Sequence, residues 1–130
     1  MAVSSPIDQK SAMPDIVLDL PLPPTVNAVR KINWASYPKY KQWREDADKT
    51  LMLYRQNKQS TIPGAYEILI EVGDTYLRGD LDNILKQLID YCVSREFVSG
   101  DQKRYLRDIR MRFVTEIPEA CRVTIRSLST

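Results

Sequence analysis

Apolar positions along the chain switch between a period of two and a helical spacing of three and four. Asp15–Leu20 (DIVLDL) alternates and predicts a strand. Pro21, Pro23 and Pro24 end it in an extended, turn-rich passage. Asn27–Trp34 holds neither period and is expected to be a loop. Pro38 suits a first helical turn. From there Tyr40, Trp43, Ala47, Leu51 and Tyr54 recur at three- and four-residue spacing, predicting a helix to about Gln59 with one apolar face. Pro63-Gly64 marks a turn, and Tyr66–Val72 (YEILIEV) alternates as a second strand. A second helix is predicted from Asp80 to about Glu96, with Ile84, Leu85, Leu88, Ile89 and Cys92 on one face. After a turn at Gly100, Tyr105–Val114 sets Ile109, Met111 and Phe113 against Asp108, Arg110 and Arg112, a strand with one basic face. Glu116–Ala120, which contains Pro118, is expected to be a hairpin connection to a last strand, Cys121–Leu128.

Strand, helix, strand, helix, strand, strand in this order predicts an α/β fold: a small mixed β-sheet with two helices packed on one side. Residues 1–13 are polar and aperiodic and are expected to be a flexible tail, with 14–130 forming a single domain. The 130 residues, 43% hydrophobic and 28% charged, are enough for one such core. No apolar run approaches the ~20 residues of a membrane helix, and the first residues lack a secretory apolar segment. Cys92 and Cys121 stand in no CxxC pattern and suit a reduced compartment, so a cytoplasmic protein is expected. Histidine is absent, which removes Ser-His-Asp and Cys-His triads, histidine bases and most zinc sites. Catalysis would have to use carboxylates, lysine, tyrosine or a hard metal ion.

Net charge is +2, but it is unevenly spread. Residues 27–60 carry eight Lys/Arg against three Asp/Glu, and residues 102–130 seven against three. Between them, residues 61–101 carry three Lys/Arg against eight Asp/Glu. Two basic blocks around an acidic centre fit a phosphate-binding surface beside a cation pocket, and they also fit chance.

The acidic centre holds Arg78-Gly79-Asp80-Leu81-Asp82-Asn83-Ile84-Leu85-Lys86, running into the second helix. Asp80 and Asp82, two residues apart, can converge on one point. Adjacent carboxylates stay ionised readily when a cation lies between them, and Mg²⁺ takes oxygen ligands of this kind. Asp101 follows the helix, and a helix that returns to the sheet would carry it near the pair. Lys86, one helical turn after Asp82, would point the same way and support charge developing on a phosphate. The same residues also have a plain structural reading: Asp82 as a helix cap, Asp82 and Lys86 as a surface pair, Asp101 as a turn residue.

The motif Asp80-x-Asp82-Asn83-x-x-Lys86, with Asp101 following, resembles the core motif of RusA-type Holliday junction resolvases. Two further segments resemble that family: Leu20-Pro21-Leu22-Pro23-Pro24-Thr25-Val26-Asn27, and Tyr37-Pro38-Lys39-Tyr40-Lys41-Gln42-Trp43-Arg44. Asp90 sits where the family commonly has Asp-Ala-Leu. The resemblance runs from about residue 15 to 128. It implies a RusA-like fold, a homodimer, and Mg²⁺-dependent paired nicking of four-way DNA junctions in recombination and repair, with no small-molecule cofactor. Asp80, Asp82 and Asp101 would be the metal-binding acids and Lys86 the lysine of the catalytic site. The chain differs from the family in three places. Gly100-Asp101 replaces a frequent Asp-Asp, the stretch Glu71–Arg78 holds one basic residue, and Glu116–Ala120 lacks a Lys/Gly-rich turn.

Candidate DNA contacts are Asn27, Arg30, Lys31, Lys39, Lys41, Arg44 and Arg78. Tyr40 and Trp43 suit either the core or stacking on unpaired bases. Arg110, Arg112, Arg122 and Arg126 alternate along the last two strands, as an exposed basic face or a DNA-facing sheet. The alternative readings are a DNA-binding module of this fold without cleavage, and a nuclease for other branched DNA. An interaction protein, with the acids as caps and surface pairs, is a further one.

Overall fold

A computed structural model of the chain describes residues 14–24, 38–73, 81–117 and 120–128, with backbone only at 81–83. The expected tail (1–13) and the Asn27–Trp34 loop lie outside the described residues. The elements are β1 (Ile16–Pro21), α1 (Pro38–Leu53), β2 (Tyr66–Gly73), α2 (Leu81–Ser94), β3 (Leu106–Val114) and β4 (Ala120–Ser127). This is the expected order, and it forms a small mixed α/β fold with one four-stranded sheet and two helices. No helix among the described residues is long and apolar enough to cross a membrane.

The sheet order is β1-β4-β2-β3. β4 runs antiparallel to both β1 and β2, whereas β2 and β3 are parallel. The expected β3–β4 hairpin is therefore not formed, because β2 lies between the two strands. β4 buries Cys121, Val123 and Ile125, β2 buries Tyr66, Ile68, Ile70 and Val72, and β1 buries Ile16, Leu18 and Leu20. Burying an apolar side chain of this size contributes about 1.5–3 kcal/mol, so these three strands carry the core and lie side by side. β3 leaves Ile109 and Phe113 43% and 49% exposed and takes the edge. The parallel β2–β3 pair requires a crossover, and α2 supplies it.

Both helices lay their apolar faces into the single core that covers one side of the sheet. α1 buries Tyr40, Trp43, Ala47 and Leu51, and its first residue, Pro38, needs no backbone donor. Tyr54, expected on the same face, is 56% exposed because the helix ends at Leu53 rather than near Gln59. The ending is a Schellman turn: Gln56 N–H donates to Leu51 O at 2.8 Å and Arg55 N–H to Met52 O at 3.1 Å, with Arg55 at φ 59°. α2 ends the same way through Phe97, Val93, Cys92 and Glu96, the last at φ 64°. Beyond the expected face, α2 also buries Gln87 and Tyr91.

The helices are locked to each other by one aromatic and ionic cluster. Trp43 stacks beside Tyr40 (centroids 5.8 Å apart) and meets Tyr91 edge-on at 5.2 Å. Tyr40 Oη donates to Gln87 O at 3.2 Å, and Trp43 Nε1 reaches back to Pro21 O at 2.9 Å. Arg95 grips Asp48 with two hydrogen bonds of 2.8 Å, and Tyr91 Oη donates to the same carboxylate at 2.6 Å. Partial burial acts to raise the Asp48 pKa. The hydrogen bonds from Arg95 and Tyr91 and the guanidinium charge outweigh it and hold the carboxyl below its ordinary value. Burial pushes the thiol of Cys92 up to about 12 and that of Cys121 higher still, so both stay protonated and unreactive.

Two outcomes follow for stability. Arg55→Gly relieves a left-handed backbone position and should stabilise the fold by about 0.5–1 kcal/mol in urea unfolding. Asp48→Asn should destabilise by about 1 kcal/mol at pH 7, since a half-exposed pair contributes modestly. Because the folded Asp48 pKa is depressed, its contribution is full above the ordinary carboxylate value of about 3.9 and is lost as pH falls through the folded value. Wild-type and Asn unfolding free energies should therefore converge as pH falls through that folded value.

Candidate metal and nucleic-acid site

Asp82 is the second residue of α2, and positions 82, 86 and 90 form one column along that helix. Asp80 lies outside the described residues, as do Asn27, Arg30, Lys31 and Arg78, and so does the Asp82 side chain. Lys86 is 53% exposed in its side chain and pairs with Asp90 Oδ2 at 3.3 Å, a residue expected to be structural. Its ammonium stands in solvent one turn beyond Asp82, able to meet an anion and held toward the same flank of the helix by Asp90.

Asp101 takes a different position. β1, β2 and β3 all run one way, and α2 returns against them from the far end of the sheet. Past Ser94 the chain is tied to the beginning of β2: Ile62 N–H donates to Phe97 O at 2.8 Å, and Tyr66 Oη donates to Gly100 O at 2.8 Å. Asp101 is exposed there, next to the start of β2. Asp82 begins α2 beyond the other end, about 18 Å from Ser94 along the helix axis at 1.5 Å per residue. A single chain thus puts Asp101 and Asp82 at opposite ends of α2, and the return to the sheet does not bring them together. Among the described residues, no three acidic, Cys or His side chains gather as a metal-binding group. Carboxylates such as Asp80 and Asp82 offer the hard oxygen donors that Mg²⁺ takes, and Asp101 of the same chain lies at the opposite end of α2 from the Asp82 backbone.

The space at Gly100 is tight. A Cβ there would stand 2.5 Å from Gln102 Oε1 and 3.2 Å from the Tyr105 ring.

The basic candidates divide. Lys39 and Lys41 are exposed on α1. Arg44 lies over the Tyr40 ring with Cζ 5.0 Å from its centroid. Tyr40 and Trp43 are buried, so they belong to the core and not to a stacking surface. Burial, reinforced by the charge of Asp90, pushes the Tyr40 hydroxyl up to about 12.

The expected basic sheet face is corrected. Arg110, Arg112, Arg122 and Arg126 do share the face away from the helices, but they share it with Asp19, Glu67, Glu71 and Asp108. Arg112 pairs with Glu71 at 2.7 Å and Arg122 with Asp19 at 2.7 Å, while Arg126 lies 3.4 Å from both Asp15 and Glu67. Strand registry alternates the signs across the sheet, so most of the positive charge is answered within the chain. The acids that answer it lie on β1 and β2, whose partners the sequence pattern does not specify.

Lys86→Met and Asp101→Asn alter exposed side chains and should each change stability by less than about 0.5 kcal/mol. Urea unfolding checks this and makes either variant a clean probe of function. Compared with known proteins, the chain matches no protein-family model and no curated protein sequence.

Proposed function

We propose that the chain is a Mg²⁺-dependent endodeoxyribonuclease of RusA-like fold that resolves four-way DNA junctions as a homodimer. The observation that carries the reading is the Asp80-x-Asp82-Asn83-x-x-Lys86 sequence at the start of α2, with Lys86 solvent-exposed one turn along the helix. Asp80 and Asp82 would hold the ion. When bound, Mg²⁺ supplies a water of lowered pKa and polarises the scissile phosphate. Lys86 would exchange Asp90 for the charge developing on that phosphate. Asp101 would complete such a site only from a second copy of the chain. A two-fold dimer also suits a substrate whose two strands are cut symmetrically. Lys39 and Lys41 would contact phosphates, and such contacts position DNA without reading its sequence.

The distance between Asp101 and Asp82 favours one second reading: a DNA-binding module, or a nuclease for other branched DNA, in which Asp101 takes no part in a metal site.

The test is cleavage of a synthetic four-way junction against linear duplex, with Mg²⁺ and with EDTA. Symmetric cuts in the junction alone, dependent on Mg²⁺, are expected. Asp82→Asn should lower cleavage by more than about 100-fold while binding is kept or tightened, because a negative charge facing phosphate is removed. Full cleavage by Asp82→Asn sinks the proposed metal site. Tight junction binding by wild type without any cutting selects the binding module.

A further inference from the structure

The two edges of the sheet are finished differently. At β1, Gln59 Oε1 accepts from Val17 N–H at 3.2 Å and Gln59 Nε2 donates to Val17 O at 2.9 Å. Gln56 Oε1 accepts from Asp19 N–H at 2.7 Å, and its amide also donates to the Asp19 carboxylate at 2.8 Å. Side chains thus occupy the backbone groups that another strand would use. At the opposite edge, β3 pairs with β2 alone, and no hydrogen bond from another described element reaches the backbone of Asp108–Val114. The same strand carries Ile109 and Phe113, half exposed, with Met111 partly buried between them. Their register partners are Ile68, Ile70 and Val72, all buried, so the helical layer stops short of the edge. An open edge with an uncovered apolar row is the usual template for strand addition.

We propose that β3 pairs antiparallel with β3 of a second copy, about a two-fold axis at Arg110. Arg110 is the middle residue of Leu106–Val114, so this register overlaps the whole strand. It sets Asp108 opposite Arg112 twice and Ile109 opposite Met111 twice. Asp108 and Arg110 form no ion pair with the described residues of their own chain, and this register gives each an opposite charge across the axis: Arg112 directly for Asp108, Asp108 diagonally for Arg110. Centring the pair on Met111 would face Arg110 with Arg112 twice, and centring it on Ile109 would leave Phe113 outside the ladder. The axis at Arg110 avoids both and leaves one like-charged pair, Arg110 facing Arg110 on the axis, which Asp108 of each copy flanks diagonally. It joins two sheets into one of eight strands with all helices on one face. Asp101 of each copy then lies at the end of the joined sheet where the other copy's α2 begins. The proposal takes the homodimer from the functional reading and gives it a surface.

Its test uses neither DNA nor metal. Light scattering at tens of micromolar should give the mass of two chains. Asp108→Arg and Ile109→Glu, both at exposed positions, should each weaken the dimer about tenfold or more while the circular dichroism of the folded chain is unchanged. Arg110→Cys should form a disulfide-linked dimer under mild oxidation, because residues facing each other across an antiparallel pair have Cβ atoms about 4.5–5.5 Å apart. Ile109→Cys, facing Met111, should not. The native Cys92 and Cys121 are buried and contribute no background. A monomeric wild type overturns the proposal, as does a dimer that both charge variants leave intact or that Arg110→Cys fails to link. A monomer that still cuts junctions would overturn the pairing and spare the nuclease. A β3-paired dimer that never cuts would do the reverse.

Discussion

β1, β4 and β2 each bury an apolar row against the helices, and they lie side by side with β4 in the middle. Much of the architecture follows. With β4 and β2 in the centre, β3 is left to pair on the outer side of β2, and the two run parallel. A parallel pair cannot be closed by a tight turn, so α2 has to carry the chain back across the sheet. That return trip is what sends Asp82 and Asp101 to opposite ends of the molecule. The strand order built by those three buried rows therefore decides which acids of the middle of the chain can share a neighbourhood.

The helical layer depends on a different kind of contact. Trp43 sits among Tyr40, Tyr91 and the end of β1, and its indole N–H finds Pro21 O, so a large aromatic ring is buried without leaving its polar atom unmet. Around its rim, Asp48, Arg95 and Tyr91 form a charge-assisted group in which each polar atom is answered by another. Apolar burial sets the depth at which the helices lie, and this polar rim fixes their rotation about each other. Lys86 and Asp90 lie one position before Gln87 and Tyr91, about 100° round α2, so the exposure of Lys86 is a by-product of how Tyr91 and Gln87 are turned inward.

Much of this was legible in the sequence. Alternation found all four strands within about a residue, and the three- and four-residue spacing found the buried faces of both helices. What was not legible has physical reasons. The end of α1 was missed by about a turn and a half because Arg55 adopts the left-handed conformation that glycine usually announces, so no residue type marked the stop. The hairpin was missed because a short connection between two alternating strands looks the same whether they are neighbours or separated by a third. Strand partners cannot be read from alternation, and the supposed basic face therefore came without its acids, Asp19, Glu67 and Glu71. Of the candidate site, the sequence yielded the residues and the helix that carries them. The position of Asp101 depended on the direction of α2 relative to β2, which is a property of topology rather than of the motif.

Gln56 and Gln59 lie just past α1, in a stretch that would pass for an ordinary polar loop, yet their amides imitate a neighbouring strand along β1. A sheet whose two borders were both bare could add copies indefinitely and grow into a fibre. With one border occupied by its own side chains, only the other is left open among the described strands, and a copy that joined there, as proposed, would end the assembly at a closed pair.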